Sequence, residues 1–197
     1  LSYEEDIDMK KKTIILIASV IVIVLITSII IINNNKKQGA GLDTSKDMKV
    51  ALKTINKNLG DTLPSLEVTT IDTSDKELVA SYTYLSDPSV VKELVVSEPL
   101  MSSQAYLAIM LRVDDNVNVE KIKEELLNNL DMSRWICVSA EKLYVTNSGN
   151  TIFAVMAFND WAEPVYEEFK KYVGNNIGKT LDKEGESGDL NMPSLVG

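Results

Sequence analysis

The sequence has no histidine and a single cysteine, Cys137, among its 197 residues. Without imidazole the usual Cys–His or Ser–His nucleophile pair cannot be built. Zinc and other transition-metal sites also lose their commonest ligand. One cysteine cannot close an internal disulfide. Arginine is nearly absent, with Arg112 and Arg134 the two examples. Lys and Arg total 20 against 29 Asp and Glu, a formal net charge of −9. A chain so acidic lacks the clustered cations that a phosphate backbone needs, so no nucleic-acid partner is expected. The nine glycines are scattered and form no phosphate-cradling loop.

What the sequence does have is one long apolar run. Thr13–Ile32 holds twenty residues without a charge, fifteen of them Ile, Leu or Val. As a helix it would be ~30 Å long, the thickness of a bilayer's hydrocarbon core. Lysines flank it at Lys10–Lys12 and at Lys36 and Lys37. A buried core helix or a cleavable signal peptide would be alternatives. However, the run exceeds the roughly 7–15 apolar residues of a signal peptide, and no small-residue cleavage site follows directly. The expectation is an uncleaved single-pass anchor, 13–32, behind a short cytoplasmic arm, 1–12. The compact Lys10–Lys12 triplet favours the N-terminus inside and the rest outside the cytoplasm, although lysines on the far side nearly balance it.

Beyond the run, 33–43 is polar with Gly39 and Gly41 and reads as a flexible linker. An extracytoplasmic domain is expected over 44–173. Met48, Leu52, Ile55 and Leu59 have helical spacing, and Gly60 ends that helix. Leu66–Asp72 is a short extended piece. Ser74-Asp75-Lys76-Glu77 fits a capping box opening a helix through Leu78, Val79, Tyr82 and Leu85. Asp87-Pro88 marks a turn. Val90–Ser97 and Ala105–Val113 read as strands. The second is apolar on both faces and so central. Val119, Ile122, Leu126, Leu127 and Leu130 form the apolar stripe of a helix, with Lys123 among the residues pointing elsewhere. Trp135–Ser139 reads as a short apolar strand. Leu143–Thr146 and Thr151–Phe158 flank Asn147-Ser148-Gly149-Asn150 as a hairpin. A last helix starts near Trp161–Pro164 and carries Val165, Phe169 and Val173. The segment 174–197 has few apolar residues and is expected to be disordered. The fold class is α+β: an antiparallel sheet packed against helices, behind the N-terminal transmembrane helix.

Between Ser74 and Val173 these elements make a pattern. A helix ends near Tyr82 and a strand precedes Glu98-Pro99. Ala105–Val113 runs into Asp114-Asp115, and the helix Val119–Leu130 precedes the Gly149 hairpin. The pattern resembles a family of small membrane- or lipid-anchored extracytoplasmic domains of unknown function from Gram-positive bacteria. The resemblance covers about half the chain. It implies a location and a fold class, and it carries no catalytic residues to transfer. The chain departs from the pattern in lacking a lipid-anchor cysteine and in the short segment after Leu130.

Candidate chemistry is thin. Asp114, Asn116, Asn118 and Glu125 have the spacing of calcium-loop positions one, three, five and twelve. Val119 stands where the sharp turn needs Gly, so Asn118 reads instead as a helix cap. Cys137 has no base to activate it and reads as a small buried apolar residue, with an intermolecular disulfide as the alternative. Ser102-Ser103-Gln104 contains no S-x-x-K. Glu124-Glu125, Glu167-Glu168 and Glu184/Glu186 read as solvated surface. Arg112 is expected to pair with Asp114 and Asp115. No catalytic, cofactor-binding or metal-binding residue is assigned, and no enzyme activity is expected. The chain reads as a membrane-anchored interaction or accessory domain of the cell envelope with a protein partner there. A subunit of a larger membrane or surface assembly is the alternative, and a carboxylate-dependent envelope hydrolase stands behind both.

Overall fold

The structure is a computed structural model and describes residues 41–185. The proposed arm and anchor, the linker through residue 40 and the segment 186–197 lie outside the described residues. Among the described residues, no helix is long and apolar enough to cross a membrane.

Six antiparallel strands form one sheet: β1 (Leu66–Ile71), β2 (Val91–Pro99), β3 (Tyr106–Val113), β4 (Lys142–Ser148), β5 (Thr151–Ala157) and β6 (Leu181–Glu184). Their order across the sheet is β1-β2-β3-β5-β4-β6. Four helices cover it: α1 (Ser45–Leu59), α2 (Lys76–Thr83), α3 (Val119–Asn129) and α4 (Asn159–Tyr172). On one face, Met48, Leu52 and Ile55 of α1 and Val165 and Phe169 of α4 pack on Tyr106, Met110, Phe153 and Val155. On the other, Val79 of α2 and Ile122 and Leu126 of α3 pack on Leu94, Leu107, Ile109, Leu111, Ile152 and Ala154. This gives the α+β architecture expected from the sequence, with helices on both sides. Strands β3 and β5 sit between two apolar layers, which is why neither alternates polar and apolar residues. Phe153 and Phe169 stack with centroids 4.2 Å apart in the first layer.

Local chemistry sets the boundaries. Thr44 caps α1 by accepting from the Asp47 N–H at 3.2 Å. Gly60 ends that helix at φ +50°, a left-handed conformation that costs glycine little. Asn118 caps α3 as expected, accepting from the Lys121 N–H at 3.2 Å. The β4–β5 connection is tighter than a four-residue loop, because Ser148 already pairs with Thr151. Gly149 at φ +57° takes the first turn position, the glycine requirement of a two-residue hairpin.

Several expectations need correcting. The capping box at Ser74 does not form. Asp75 caps α2 through the Leu78 N–H at 2.9 Å, while the Ser74 hydroxyl donates to Asp72. Asp75, an equally good capping residue one position later, takes the cap. Trp135–Ser139 is irregular backbone, not a strand. Its backbone joins no strand of the sheet and makes no backbone hydrogen bond to the described residues.

The ordered domain also reaches past both expected boundaries. Leu42 is buried, and its carbonyl accepts from Thr151 Oγ1 at 2.8 Å. At the other end, β6 pairs with β4 from Val145↔Leu181 to Lys142↔Glu184, inside the segment expected to be disordered. Its order comes from the backbone ladder and from ion pairs. Lys142 Nζ lies 2.6 Å from Asp182 and 2.5 Å from Glu184. Lys123, expected on a solvated face, is fully buried, with its ammonium on the Lys179 carbonyl at 2.6 Å, Asn147 Oδ1 at 2.8 Å and Glu120 at 2.6 Å.

Candidate functional site

The antiparallel registers define two ends of the sheet. Val113, Ser148 and Thr151 lie at one, and Pro99, Tyr106, Lys142 and Ala157 at the other. The eight residues of β3 separate the ends by roughly 25 Å. The chain enters the domain at the first end. There Asp43 Oδ1 accepts from Arg112 Nη1 at 2.7 Å, and Arg112 Nη2 reaches Asp115 at 3.5 Å.

At the second end, the close of β2 and the β2–β3 connection face the α3–β4 connection across an open cleft of about 430 Å³. Glu98, Pro99, Leu100, Met101 and Ser102 form one wall, and Arg134, Trp135 and Ile136 the other. Leu100, Met101 and Ile136 are 68%, 60% and 70% exposed. They are three of the six large hydrophobic residues standing exposed among the described residues. Such residues scattered singly are ordinary, but gathered around one cleft they are not.

The polar part of the cleft is built from three elements. Tyr82, on α2, donates its hydroxyl to Glu98 Oε2 at 2.8 Å. Burial, followed by that hydrogen bond and the Glu98 charge, pushes the Tyr82 phenol up to about 12. The guanidinium of Arg134 lies over the Tyr82 ring, 5.5 Å from its centroid. Arg134 Nη2 stays 3.9 Å from Glu98 Oε1, beyond hydrogen-bond range. Arg134 Nη1 is buried with no hydrogen-bond partner among the described residues. A turn aims this side chain. Asp131 Oδ1 accepts from the backbone and hydroxyl of Ser133 at 2.9 and 2.8 Å. Those two bonds hold the Asp131 carboxyl below its ordinary value. Cys137 follows in sequence, exposed and at φ +62°, so the burial expected for it is wrong.

The other residues singled out in the sequence do not come together. Asp114 pairs with Lys92 at 3.1 Å rather than with Arg112. Asp115 takes Arg112 and Asn150. Glu125 sits on α3 and accepts from the Ser86 N–H, so the calcium-loop spacing is not a loop. No cluster of three or more metal-ligating side chains occurs among the described residues. Glu167 holds Lys170, while Glu168 holds Asn58 and Lys171. Glu98 is the one carboxylate lining the cleft. A second polar group, Asn56 on Ser97 at 2.9 Å beside Tyr106, belongs to the core, since Ser97 and Tyr106 are fully buried.

Sequence reasoning missed the cleft. Its only signals were Leu100-Met101 in a connection between strands and the apolar Trp135-Ile136 next to Arg134. No family model, curated protein or solved structure matches the chain.

Proposed function

We propose that the chain is a membrane-anchored extracytoplasmic interaction or accessory domain of the cell envelope. Thr13–Ile32 supplies the anchor, and the Leu100–Ile136 cleft supplies the contact surface. One observation carries this reading. Half of the large hydrophobics exposed among the described residues surround a single cleft, at the opposite end of the sheet from Leu42 and Asp43. The apolar rim beside an arginine with one buried, unpartnered nitrogen has the composition of a protein contact, where Met, Arg and aromatic residues are enriched. Chemistry has less support, because general acid–base hydrolysis of the glycosidase type needs a second carboxylate facing the first.

Mild crosslinking of intact cells followed by co-purification tests the reading. The full chain should recover a discrete partner. The double variant Leu100→Ser, Ile136→Ser should recover at least tenfold less at equal membrane abundance. Equal recovery from both would remove the cleft from the interaction, and retention of neither chain in the membrane fraction would remove the anchor.

A further inference from the structure

Resting on the reading of this cleft as a contact surface, we infer that it binds an extended peptide segment of a partner protein. Arg134, Glu98 and the Trp135-Ile136 backbone would read main-chain amides, while Leu100, Met101 and Ile136 would take the apolar side chains.

The polar groups fit an amide better than a charge. A guanidinium carries five donors and no acceptor, yet the Arg134 side chain makes no hydrogen bond among the described residues; its nearest carboxylate is 3.9 Å away. It rests over the Tyr82 ring, with neither terminal nitrogen committed to a hydrogen bond among the described residues. Beside it, Glu98 Oε2 is occupied by Tyr82, while Oε1 has only that long contact. An unfilled donor next to an unfilled acceptor, with no net charge between them, complements the C=O and N–H of a peptide group. A carboxylate or phosphate would be drawn to Arg134 but repelled by Glu98.

The backbone makes the same offer. From Trp135 to Ser139 no main-chain N–H or C=O is hydrogen-bonded to another described backbone group. Cys137 holds a left-handed φ in the middle of that stretch, a conformation uncommon outside glycine. Unpaired main chain beside side-chain contacts is one way proteins take up extended peptides, and Trp135 and Ile136 bring it to the cleft wall. An acyl chain is the rival occupant of an apolar cleft. It would leave Glu98, Arg134 and this backbone desolvated without partners, which is costly. The volume of about 430 Å³ lies within the range of small-ligand sites and suits a few residues.

The test pans a display library of random twelve-residue peptides against the full chain in lipid nanodiscs. Enriched peptides should share at least two apolar positions. They should bind the Leu100→Ser, Ile136→Ser double variant at least tenfold more weakly. Both positions are exposed, so the variant keeps the fold. Replacing one interior amide of the best peptide by an ester removes an N–H while keeping every side chain, and at one position it should weaken binding at least tenfold. Binding unaffected by ester replacement at any position overturns amide recognition. No enrichment over the double variant, or dansyl-undecanoic acid occupying the cleft where no peptide does, overturns the peptide class. If the cellular partner is still recovered through Leu100 and Ile136 in that case, the contact surface stands and only its occupant is wrong. If recovery fails too, both readings fall.

Discussion

The two arginines of the chain sit at opposite ends of one sheet, in opposite states. Arg112 ends β3 with a carboxylate at 2.7 Å and another at 3.5 Å. It fastens Asp43, and with it the first residues of the domain, beside the buried Leu42. Arg134 rests on an aromatic ring with its nearest carboxylate at 3.9 Å and one nitrogen buried without a partner. The first arrangement is what stability alone produces, because buried or constrained polar groups are normally paired. The second leaves interaction energy unused within the domain, with bare apolar side chains around it. The Arg112 end is internally paired and the Arg134 end is not, and the proposed contact surface rests on that difference.

A matched pair of truncations breaks this comparison most sharply. Leu42→Ala removes a buried side chain from the Arg112 end and should lower unfolding free energy by about 2 kcal/mol, the low end for a core leucine. Leu100→Ala makes the same change at the Arg134 end and should stay within about 0.5 kcal/mol of wild type. Urea unfolding of both variants checks the contrast; similar losses would mean that Leu100 is packed.

Removing 175–197 should cost about 1–3 kcal/mol, because the Lys123 ammonium loses the Lys179 carbonyl and β4 loses its edge partner. It should also quicken hydrogen exchange in β4, whose Lys142–Val145 pair with β6. A truncated chain as stable as the whole would contradict the packing of β6.

The arginines themselves come next. Arg112→Ala should destabilise by about 1 kcal/mol, the upper range for an exposed ion pair. Arg134→Ala should change stability by less than about 0.5 kcal/mol, because it relieves a desolvated donor while giving up a cation–π contact. The reverse order would place the structural arginine at the wrong end.

The smallest effect is on pH dependence. Lys142 is raised above its ordinary value by its hydrogen bonds to Asp182 and Glu184. A cation whose folded value is raised contributes stability that is complete below the unfolded lysine value. That contribution is lost as pH climbs from about 10.4 through the folded value. The melting midpoint should therefore fall more steeply above about pH 10.4 in wild type than in Lys142→Met. Parallel curves would mean that β6 is held by its backbone ladder alone.

Much of this fold can be read along the chain. Ala105–Val113 shows apolar residues on both faces, so its central position follows from period two alone. Asn118 before an amphipathic stripe and Gly149 between two strands are local signals whose chemistry acts within a few residues. What stays hidden depends on distant partners. The sequence Leu-Asp-Lys-Glu of β6 carries no apolar pattern, and its order is decided by Lys142 and Lys123, 40 and 56 residues from their partners Asp182 and Lys179. Trp135-Ile136-Cys137-Val138 is too short for periodicity to separate strand from loop. The cleft joins Tyr82, Glu98 and Arg134 from three elements, and nothing near any one of them in sequence announces the others.

The comparison of the two ends is tested most directly by a photo-crosslinking residue placed at Ile136 or at Asn116 in the full chain, with irradiation of intact cells. Both positions are exposed, and they lie at the Arg134 and Arg112 ends respectively. The account predicts a discrete higher-mass adduct from Ile136 and none from Asn116. An adduct from Asn116 alone, or equal adducts from both, would contradict it.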